Sequence, residues 1–184
     1  MTQYNLPWLL EKIQMGETPK FLFFWGHQPG KDGQITASCF SQWWDSSPFV
    51  VDGVTYASAE HWMMAQKALL FDDQATFDKI ILAKTPAEAK KLGRAVQNFE
   101  QAKWEEKRSE LVTAGNVHKF GQDSDLKTFL LNTQDRVLVE ASPLDPIWGI
   151  GLAASDPKAQ DPEQWEGLNL LGFALMAARD ILRG

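Results

Sequence analysis

The C-terminal segment constrains the fold of this chain more than any other feature. Between Asn169 and Leu182, apolar residues occur on almost every side of the helix that this segment predicts. A helix that is apolar all round lies inside a domain, so the other segments must pack around it. The 184 residues are enough for one domain with a substantial core and too few for two.

Helix signals dominate the rest of the chain. Asn5 and Pro7 predict the start of a short helix over 6–13. Ser58 is a suitable N-cap for a helix that runs to Leu70. Further helices are predicted over 74–83, 86–92, 100–114 and 123–133, and another helical segment begins at Asp161.

Strand signals are few and short. The apolar run 21–25 has the length of a buried strand, and 136–141 has a similar β-branched pattern. Asp52-Gly53 predicts a hairpin over 49–56, because this dipeptide tolerates the positive φ values of a two-residue turn. The sequence therefore predicts a mainly α fold, a single compact helical domain with a few short β-strands.

Composition excludes several classes of protein. The net charge is −6, so the average surface repels duplex nucleic acid. Cys39 is the single cysteine, which excludes an intrachain disulfide, and with three scattered histidines it predicts neither a zinc site nor metal dependence. No apolar run approaches the roughly 18 residues of a membrane span. The N-terminus also lacks the features of a secretory signal, so a cytoplasmic protein without membrane contact is expected.

Two residues on the helix that begins after Ser58 are candidates for catalysis. Glu60 and Lys67 are seven residues apart, so their side chains point within about 20° of each other. Met63 and Met64 lie between them and would partly desolvate Lys67, which favours a neutral, nucleophilic amine. A salt-bridged pair on the surface is the alternative interpretation.

The segment 142–151 predicts a proline-stiffened loop that carries Asp145 and Trp148. Asp145 is either a functional carboxylate or a turn residue that bonds its own backbone. A glycine pattern in this loop superficially fits a dinucleotide fingerprint. Prolines interrupt the elements that this fingerprint requires, so a Rossmann fold is excluded.

Aromatic and cationic residues allow two interpretations. The aromatic clusters at 21–25 and 40–44 are typical of a core, but an aromatic face also stacks on a planar base with a gain of about 1–3 kcal/mol. Arg94 and Lys119 are candidate phosphate contacts or ordinary surface charges. We interpret His61 as a structural histidine. Cys39 lacks an identifiable partner base, which indicates a small buried hydrophobe.

Long motifs cover most of the chain. They are Phe24-Trp25-Gly26, Phe40 to Trp44, Ser58 to Ala68, Gly93-Arg94, Trp104, Lys119-Phe120, the loop Ser142 to Gly151, and Trp165 to Arg179. Together these motifs resemble the NADAR domain family, which includes the YbiA-like bacterial N-glycosidases. The resemblance leaves out the N-terminal residues, so we divide the chain into an N-terminal extension over 1–20 and a NADAR-like domain over 21–184.

The resemblance implies an N-glycosidase that requires neither a metal nor a redox cofactor. The implied substrate is a phosphoribosylamino-pyrimidine intermediate of riboflavin biosynthesis. One alternative is the removal of ADP-ribose from guanine, in a nucleotide or in nucleic acid. A second alternative is a non-catalytic module that binds ADP-ribose or another nucleotide-sugar. The oligomeric state stays open.

The resemblance also implies roles for single residues. Lys67 is the candidate nucleophile, which could form a Schiff base with the opened sugar. Glu60 would orient the sugar hydroxyls or shuttle the proton, and Asp145 would bind ribose or activate water. Asn169 would close the pocket by anchoring the start of the buried helix. The base would stack on Trp148 and on one of Phe23, Trp25, Trp43 and Trp44, while Arg94 and Lys119 would contact phosphate.

Overall fold

The structure, a computed structural model, describes residues 3–184 and is mainly helical, as predicted. Its α-helices are α1 (Leu6–Gln14), α2 (Ala59–Leu70), α3 (Gln74–Ile81), α4 (Pro86–Gly93), α5 (Gln101–Gln122), α6 (Ser124–Leu131) and α7 (Leu170–Arg183). The strands are β1 (Phe21–Phe24), β2 (Phe49–Val51), β3 (Val54–Tyr56) and β4 (Val137–Glu140). Short 3₁₀ turns cover Lys31–Gly33, Ala37–Phe40, Pro157–Gln160 and Pro162–Gln164.

Helix α7 forms the centre of the domain. It packs against α5 and β4, and its residues from Leu171 to Met176 are buried on all sides. The last turn differs from the prediction, because Ile181 is 60% exposed there. The all-round apolar pattern therefore identifies a helix that starts in the core and ends at the surface.

The four short strands form two pairs. Strand β1 lies parallel to β4, with Phe24 opposite Glu140 at their carboxyl ends. Strands β2 and β3 form the predicted hairpin, and its turn residues Asp52 and Gly53 have φ values of 49° and 79°. These positive φ values explain why the turn uses Asp-Gly.

Helix α5 is longer than the predicted helix over 100–114. It continues through Gly115 and Asn116, which are poor helix formers by local preference. Gly115 is required because a Cβ there would lie 2.3 Å from the Trp62 indole. The Asn116 amide donates to the carbonyl of Val112 and to Gln42 Oε1, so tertiary contacts override the local stop signal.

The other boundaries agree with the prediction to within about two residues, as is normal for helix and strand ends. The segment after Asp161 is the exception, because it forms only a 3₁₀ turn. In the described part of the chain, no helix has the length and apolar character to cross a membrane. The predicted cytoplasmic location stays a prediction.

The N-terminal helix packs on the domain. Leu9 is fully buried, and the Trp8 ring meets Phe173 of α7 edge-on at 6.5 Å. The Tyr4 hydroxyl donates a hydrogen bond to Asp180 of α7. Residues before the predicted boundary at 20 therefore contribute to the core, and the boundary itself stays a prediction.

Candidate active site

A cavity of about 600 Å³ lies between α2, α4, the carboxyl ends of β1 and β4 and the loop that follows β4. Carboxyl groups, cationic side chains and aromatic rings all line it. From α2 come Glu60, Met63, Met64 and Lys67; from α4 and its C-cap come Lys90 and Arg94; from the strand ends and the loop come Trp25, His27, Glu140, Asp145 and Trp148. The cavity is the natural candidate for the active site.

Helix α2 presents one face to this cavity, as the seven-residue spacing predicts. Ser58 caps the helix by accepting a hydrogen bond from the His61 backbone N–H at 3.3 Å. The Glu60 backbone N–H donates to the Gln42 carbonyl at 2.9 Å, which joins the start of α2 to the segment before β2. Glu60 and Lys67 therefore lie in one cavity, and the alternative of a surface salt bridge between them is wrong.

Glu60 is a buried carboxyl group with few polar contacts to offset the cost of burying its charge. Its side chain is 3% exposed, and Oε1 has no hydrogen-bond partner in the described residues. The pKa of Glu60 is raised to about 7, mainly by burial and to a lesser extent by the charge of Asp145, while Lys90, Trp43 and Arg94 act in the opposite direction. A group with this pKa can both accept and donate a proton near neutral pH.

The Lys67 ammonium is held among aromatic rings at the other end of the same face. Its Nζ donates to the Gly93 carbonyl at 2.8 Å and lies 4.3 Å from the centroid of the Phe99 ring. Burial lowers the pKa of Lys67, and the nearby Arg94 charge lowers it further. Both effects favour the neutral amine that a nucleophile requires.

Close packing of α4 on α2 fixes the position of Lys67. A Cβ on Gly93 would lie 1.9 Å from Met64 Sδ, so only glycine lets the end of α4 approach α2 this closely. The carbonyl that Lys67 binds belongs to this same glycine. The glycine thus sets both the distance between the helices and the position of the ammonium.

The loop after β4 supplies Asp145. Its Oδ1 accepts from the backbone N–H groups of Ile147 and Trp148, at 2.9 and 2.8 Å. The interpretation of Asp145 as a turn residue is therefore confirmed, and its carboxylate also lines the cavity. The Ile150 N–H donates to the Glu140 carbonyl at 2.9 Å and closes the base of the loop. Asp145 is consequently held rigidly.

Three of the five aromatic residues predicted to stack on a base line the cavity. Trp25 is 59% exposed at its rim, and Trp43 and Trp148 are half-buried in its wall. The other two do not line it. Trp44 is 2% exposed, with its indole N–H bonded to Ser47, and Phe23 packs against Phe21. Local sequence cannot distinguish these positions, because neighbouring aromatic residues differ only in the direction that their side chains take.

Lys119 is the clearest correction. The prediction made it a phosphate contact, but it is 1% exposed and does not line the cavity. Its Nζ donates to the carbonyls of Cys39 and Ser41 at 2.6 and 2.9 Å. Burial lowers the pKa of Lys119 to about 7. It stabilises the turn before Gln42, and a phosphate cannot reach it.

Asn169 does not line the cavity either, but it anchors the start of α7 as predicted. It has a left-handed conformation with φ 52°, and its amide donates to the Leu138 carbonyl at 2.9 Å. Its Oδ1 accepts from the Glu140 N–H at 3.0 Å. The side chain therefore ties α7 to β4 and holds the backbone of a residue that lines the cavity.

The remaining single-residue interpretations agree with the structure. His61 is buried, with Nδ1 2.8 Å from Ser58 Oγ and Nε2 3.0 Å from the Ala83 carbonyl oxygen. Cys39 is also buried, and burial raises the pKa of its thiol to about 12. Neither residue has the exposure or geometry of a catalytic group.

Among the charged and titratable residues of the cavity, sequence reasoning missed Glu140, Lys90 and His27. Glu140 ends β4, and a polar residue at the carboxyl end of a parallel strand is a signal that could have identified it. Lys90 lies four residues before Arg94, so the two cations share one helix face. The Lys90 Nζ lies 5.8 Å from the Trp43 ring centroid. Within residues 3–184, no group of three or more His, Cys, Asp or Glu side chains is arranged to hold a metal ion.

Known proteins share this sequence and fold. The profile of the NADAR domain matches residues 23–183. N-glycosidase R617 of Acanthamoeba polyphaga mimivirus is 42% identical, over 89% of this chain and 97% of that protein. The chloroplastic riboflavin biosynthesis protein PYRR of Zea mays is 34% identical, over 72% of this chain and 21% of the maize protein.

A solved structure shows the same architecture. The NMR structure of the Escherichia coli protein YbiA matches with a TM-score of 0.70 and 26% identity, over 91% of this chain and 87% of that one. The curated N-glycosidase YbiA is 30% identical, over 79% of both chains. Fold, cavity and relatives together define an N-glycosidase, a hydrolase that acts on N-glycosyl bonds. The chain belongs to the NADAR domain family.

Proposed function

We propose that the chain hydrolyses the N-glycosidic bond of phosphoribosylamino-pyrimidine intermediates of riboflavin biosynthesis. The observation that carries this proposal is the common location of Glu60, Lys67 and Asp145 in one cavity walled by aromatic rings. The similarity to the maize riboflavin biosynthesis protein supports the choice of substrate.

The cavity offers a separate partner for each part of such a substrate. Trp43 and Trp148 lie in the wall, where a pyrimidine ring can stack on them. Lys90 and Arg94 supply positive charge for the phosphate, and the guanidinium of Arg94 can bind it in a forked geometry. The carboxyl groups then face the sugar between base and phosphate.

The bond to be broken sets the chemical requirement. Positive charge develops on the anomeric carbon and negative charge on the leaving nitrogen, so the enzyme needs a carboxylate and a proton donor. Glu60 orients the sugar hydroxyls or moves a proton, and Asp145 binds ribose or activates water. The hydrogen bonds of its turn hold the Asp145 carboxylate in place. Asp145 suits either role, because a carboxylate that is already held loses little conformational freedom when substrate binds.

Lys67 is the proposed nucleophile. Its neutral amine would attack the anomeric carbon as the C1′–N bond breaks and the base leaves with that electron pair. The sugar ring of the resulting adduct would then open to a Schiff base, and water would hydrolyse that imine to free the amine and the sugar. The lowered pKa of Lys67 and its position on the same helix face as Glu60 support this role. An electrostatic role, in which the ammonium only stabilises the leaving group, is the competing possibility.

Removal of ADP-ribose from guanine is the second candidate function. It is favoured by the exposed indole of Trp25 at the cavity rim, which could stack on a second base of a larger substrate. Because the chain carries a net charge of −6, only a single terminal or flipped nucleotide of a nucleic acid would be expected to enter.

A mass-spectrometric turnover assay tests both candidates. The purified protein is offered the phosphoribosylamino-pyrimidine and ADP-ribosyl-guanine, and release of each base is measured. Faster release of the pyrimidine supports the proposal, and preferential release of guanine replaces it with the second candidate. Release of neither, with binding retained, would favour a non-catalytic module.

The role of Lys67 is tested in the same assay with borohydride, which reduces an imine to a stable adduct. We expect a trapped adduct in the wild type and none in Lys67→Arg, which keeps the positive charge but forms no imine. Lys91→Arg, an exposed position on α4, is the matched control. A wild-type enzyme that turns over without an adduct would contradict the covalent role.

A further inference from the structure

Glu140 is a carboxyl group of the cavity to which the proposed mechanism gives no role. Its backbone is held on three sides. The N–H donates to Asn169 Oδ1, the carbonyl accepts from the Ile150 N–H, and strand pairing places the residue opposite Phe24. The side chain lines the cavity, and the restrained backbone fixes the point from which it extends.

The carboxyl of Glu140 has the surroundings of a neutral acid. Its Oε2 is buried and has no hydrogen-bond partner in the described residues. An unpaired buried charge is costly, so the protonated form is favoured. The pKa of Glu140 is raised to about 8, first by burial and then by the charges of Asp145 and Glu60, while the charge of Lys90 lowers it. Glu140 therefore holds a proton at neutral pH.

The charged and titratable groups around it come from every wall of the cavity. They are Glu60 and Lys67 on α2, Lys90 on α4, Arg94 at the C-cap of α4, Asp145 on the loop and His27 after β1. Two other carboxyls lie near Glu140, and like charges in one site force one member to stay protonated. When Glu140 holds the proton, the carboxylates of Glu60 and Asp145 can act as bases or bind the sugar.

We propose that Glu140 is the general acid that protonates the leaving base. The C1′–N bond breaks, its electron pair stays on the leaving nitrogen, and the Glu140 proton passes to that nitrogen. The Lys67 amine, or a water, forms the new bond to C1′ and loses its proton to the Glu60 carboxylate. Return of this proton through water restores Glu140, and the whole reaction consumes one water. The inference rests on cleavage of an N-glycosidic bond and on neither candidate substrate in particular.

A comparison of two leaving groups tests this role. Glu140→Gln keeps the shape of the side chain but has no proton to give. We expect it to lower kcat on the amino-linked base by about 10²–10⁴-fold, the usual contribution of a general acid. A nicotinamide riboside 5′-phosphate leaves as a neutral pyridine without a proton, so its turnover should be nearly unchanged. Glu140→Asp should recover part of the lost rate, and the exposed Glu163→Gln should behave as wild type on both substrates.

Two outcomes would overturn the role of Glu140. One is wild-type turnover of the amino-linked base by Glu140→Gln, and the other is an equal loss on both leaving groups. If the wild type releases guanine and not the pyrimidine, the proposed substrate is wrong, and the same comparison is then made with ADP-ribosyl-guanine.

Infrared spectroscopy provides a second test, which requires no turnover. At pH 7 the folded protein should show the C=O stretch of a protonated carboxylic acid, and folded Glu140→Gln should lose intensity in this band. Glu163→Gln serves as the control. A band that Glu140→Gln leaves unchanged would show that this residue is ionised, and the proposal would be wrong even if no pyridinium substrate is cleaved.

Discussion

Single side chains in the cavity are governed by the cost of burying charge. Among the described residues, no group forms a hydrogen bond with Oε1 of Glu60 or with Oε2 of Glu140, and burial raises the pKa of both side chains. Burial lowers the pKa of Lys67, which favours the neutral amine. The same desolvation therefore favours the protonated acid and the deprotonated base, which are the forms that N-glycosidic cleavage requires.

The raised pKa of Glu60 predicts a pH-dependent stability. Its pKa is about 7 in the folded protein, against 4.5 for an ordinary Glu. Between these values the folded protein keeps a proton that the unfolded chain has lost. The free energy of unfolding therefore falls as pH rises, by up to about 1.4 kcal/mol per pH unit for this group. Glu140 contributes in the same sense up to about pH 8, whereas Lys119, whose pKa is lowered to about 7, contributes in the opposite sense above that pH.

Urea denaturation across this pH range checks the prediction. Glu60→Gln should flatten the fall between about pH 4.5 and 7, because glutamine does not titrate. Glu163→Gln, at an exposed position, should keep the wild-type slope. If Glu60→Gln and wild type show the same slope, the pKa of Glu60 is not raised in the folded protein.

Substitutions of Asp145 should affect stability and activity differently. Asparagine at this position keeps an oxygen that can accept the N–H groups of Ile147 and Trp148. Asp145→Asn should therefore melt like wild type, yet lose about 100-fold in turnover because the carboxylate is gone. Asp145→Ala should lose the same activity and also about 1 kcal/mol of stability, because the turn bonds are gone. Activity of Asp145→Asn near the wild-type level would leave Asp145 with only the turn role.

At the scale of elements, close helix packing places the functional groups. Gly93 lets α4 approach α2, and Gly115 lets α5 approach the Trp62 indole. In both places α2 is the element approached. This helix therefore has little freedom to move relative to its neighbours, and the Glu60–Lys67 face is held at a constant distance from α4.

The two glycines inside α5 test this packing. A Cβ on Gly115 would lie 2.3 Å from Trp62, whereas one on Gly121 would meet only the flexible Leu182 side chain, at 3.2 Å. Alanine in a helix interior gains about 1 kcal/mol over glycine. We expect Gly121→Ala to be neutral or stabilising by up to that amount. Gly115→Ala should be destabilised by about 1–3 kcal/mol through overpacking.

Urea denaturation measures the difference in the free energy of unfolding between Gly115→Ala and Gly121→Ala. Both variants add one methyl group to α5, and the gain in helix propensity is at most about 1 kcal/mol at either position, so a larger difference in stability between them reports the contact with Trp62. Equal stability of the two would mean that α5 and α2 are free to separate.

At the scale of the whole molecule, the N-terminal segment is part of the packed structure. Leu9 is fully buried, and Trp8 and Tyr4 contact α7 through Phe173 and Asp180. The first helix thus covers the same central helix that anchors β4 and, through Asn169, Glu140. Residues outside the family match at 23–183 therefore support the element on which the cavity depends.

A pair of leucines tests whether this segment unfolds together with the domain. Leu9→Ala creates a cavity in the core and should lower the free energy of unfolding by about 2–5 kcal/mol. Leu82 is 80% exposed, so Leu82→Ala should change it by less than about 0.5 kcal/mol. Denaturation followed by tryptophan fluorescence and by circular dichroism should give one transition. A Leu9→Ala variant as stable as wild type would mean that α1 is not part of the cooperative unit.

Much of the local structure could be predicted because its causes are local. The N-cap at Ser58, the Asp-Gly turn of the hairpin and the proline-stiffened loop each depend on a few neighbouring residues. Helix periodicity likewise determined that Glu60 and Lys67 share a face. The length of α5 was missed, because Trp62 and Gln42, far away in sequence, stabilise its glycine and asparagine.

The sequence by itself determined the mainly helical class, the central α7 and the common helix face of Glu60 and Lys67, because these follow from propensity, capping and periodicity. Only the tertiary structure decided which charged side chains are buried and which of them lie together in the cavity. It placed Lys119 in the interior and brought Glu140 and Lys90 into the cavity. Burial and the direction of a side chain depend on contacts between distant segments, and such contacts leave no periodic signal along the chain.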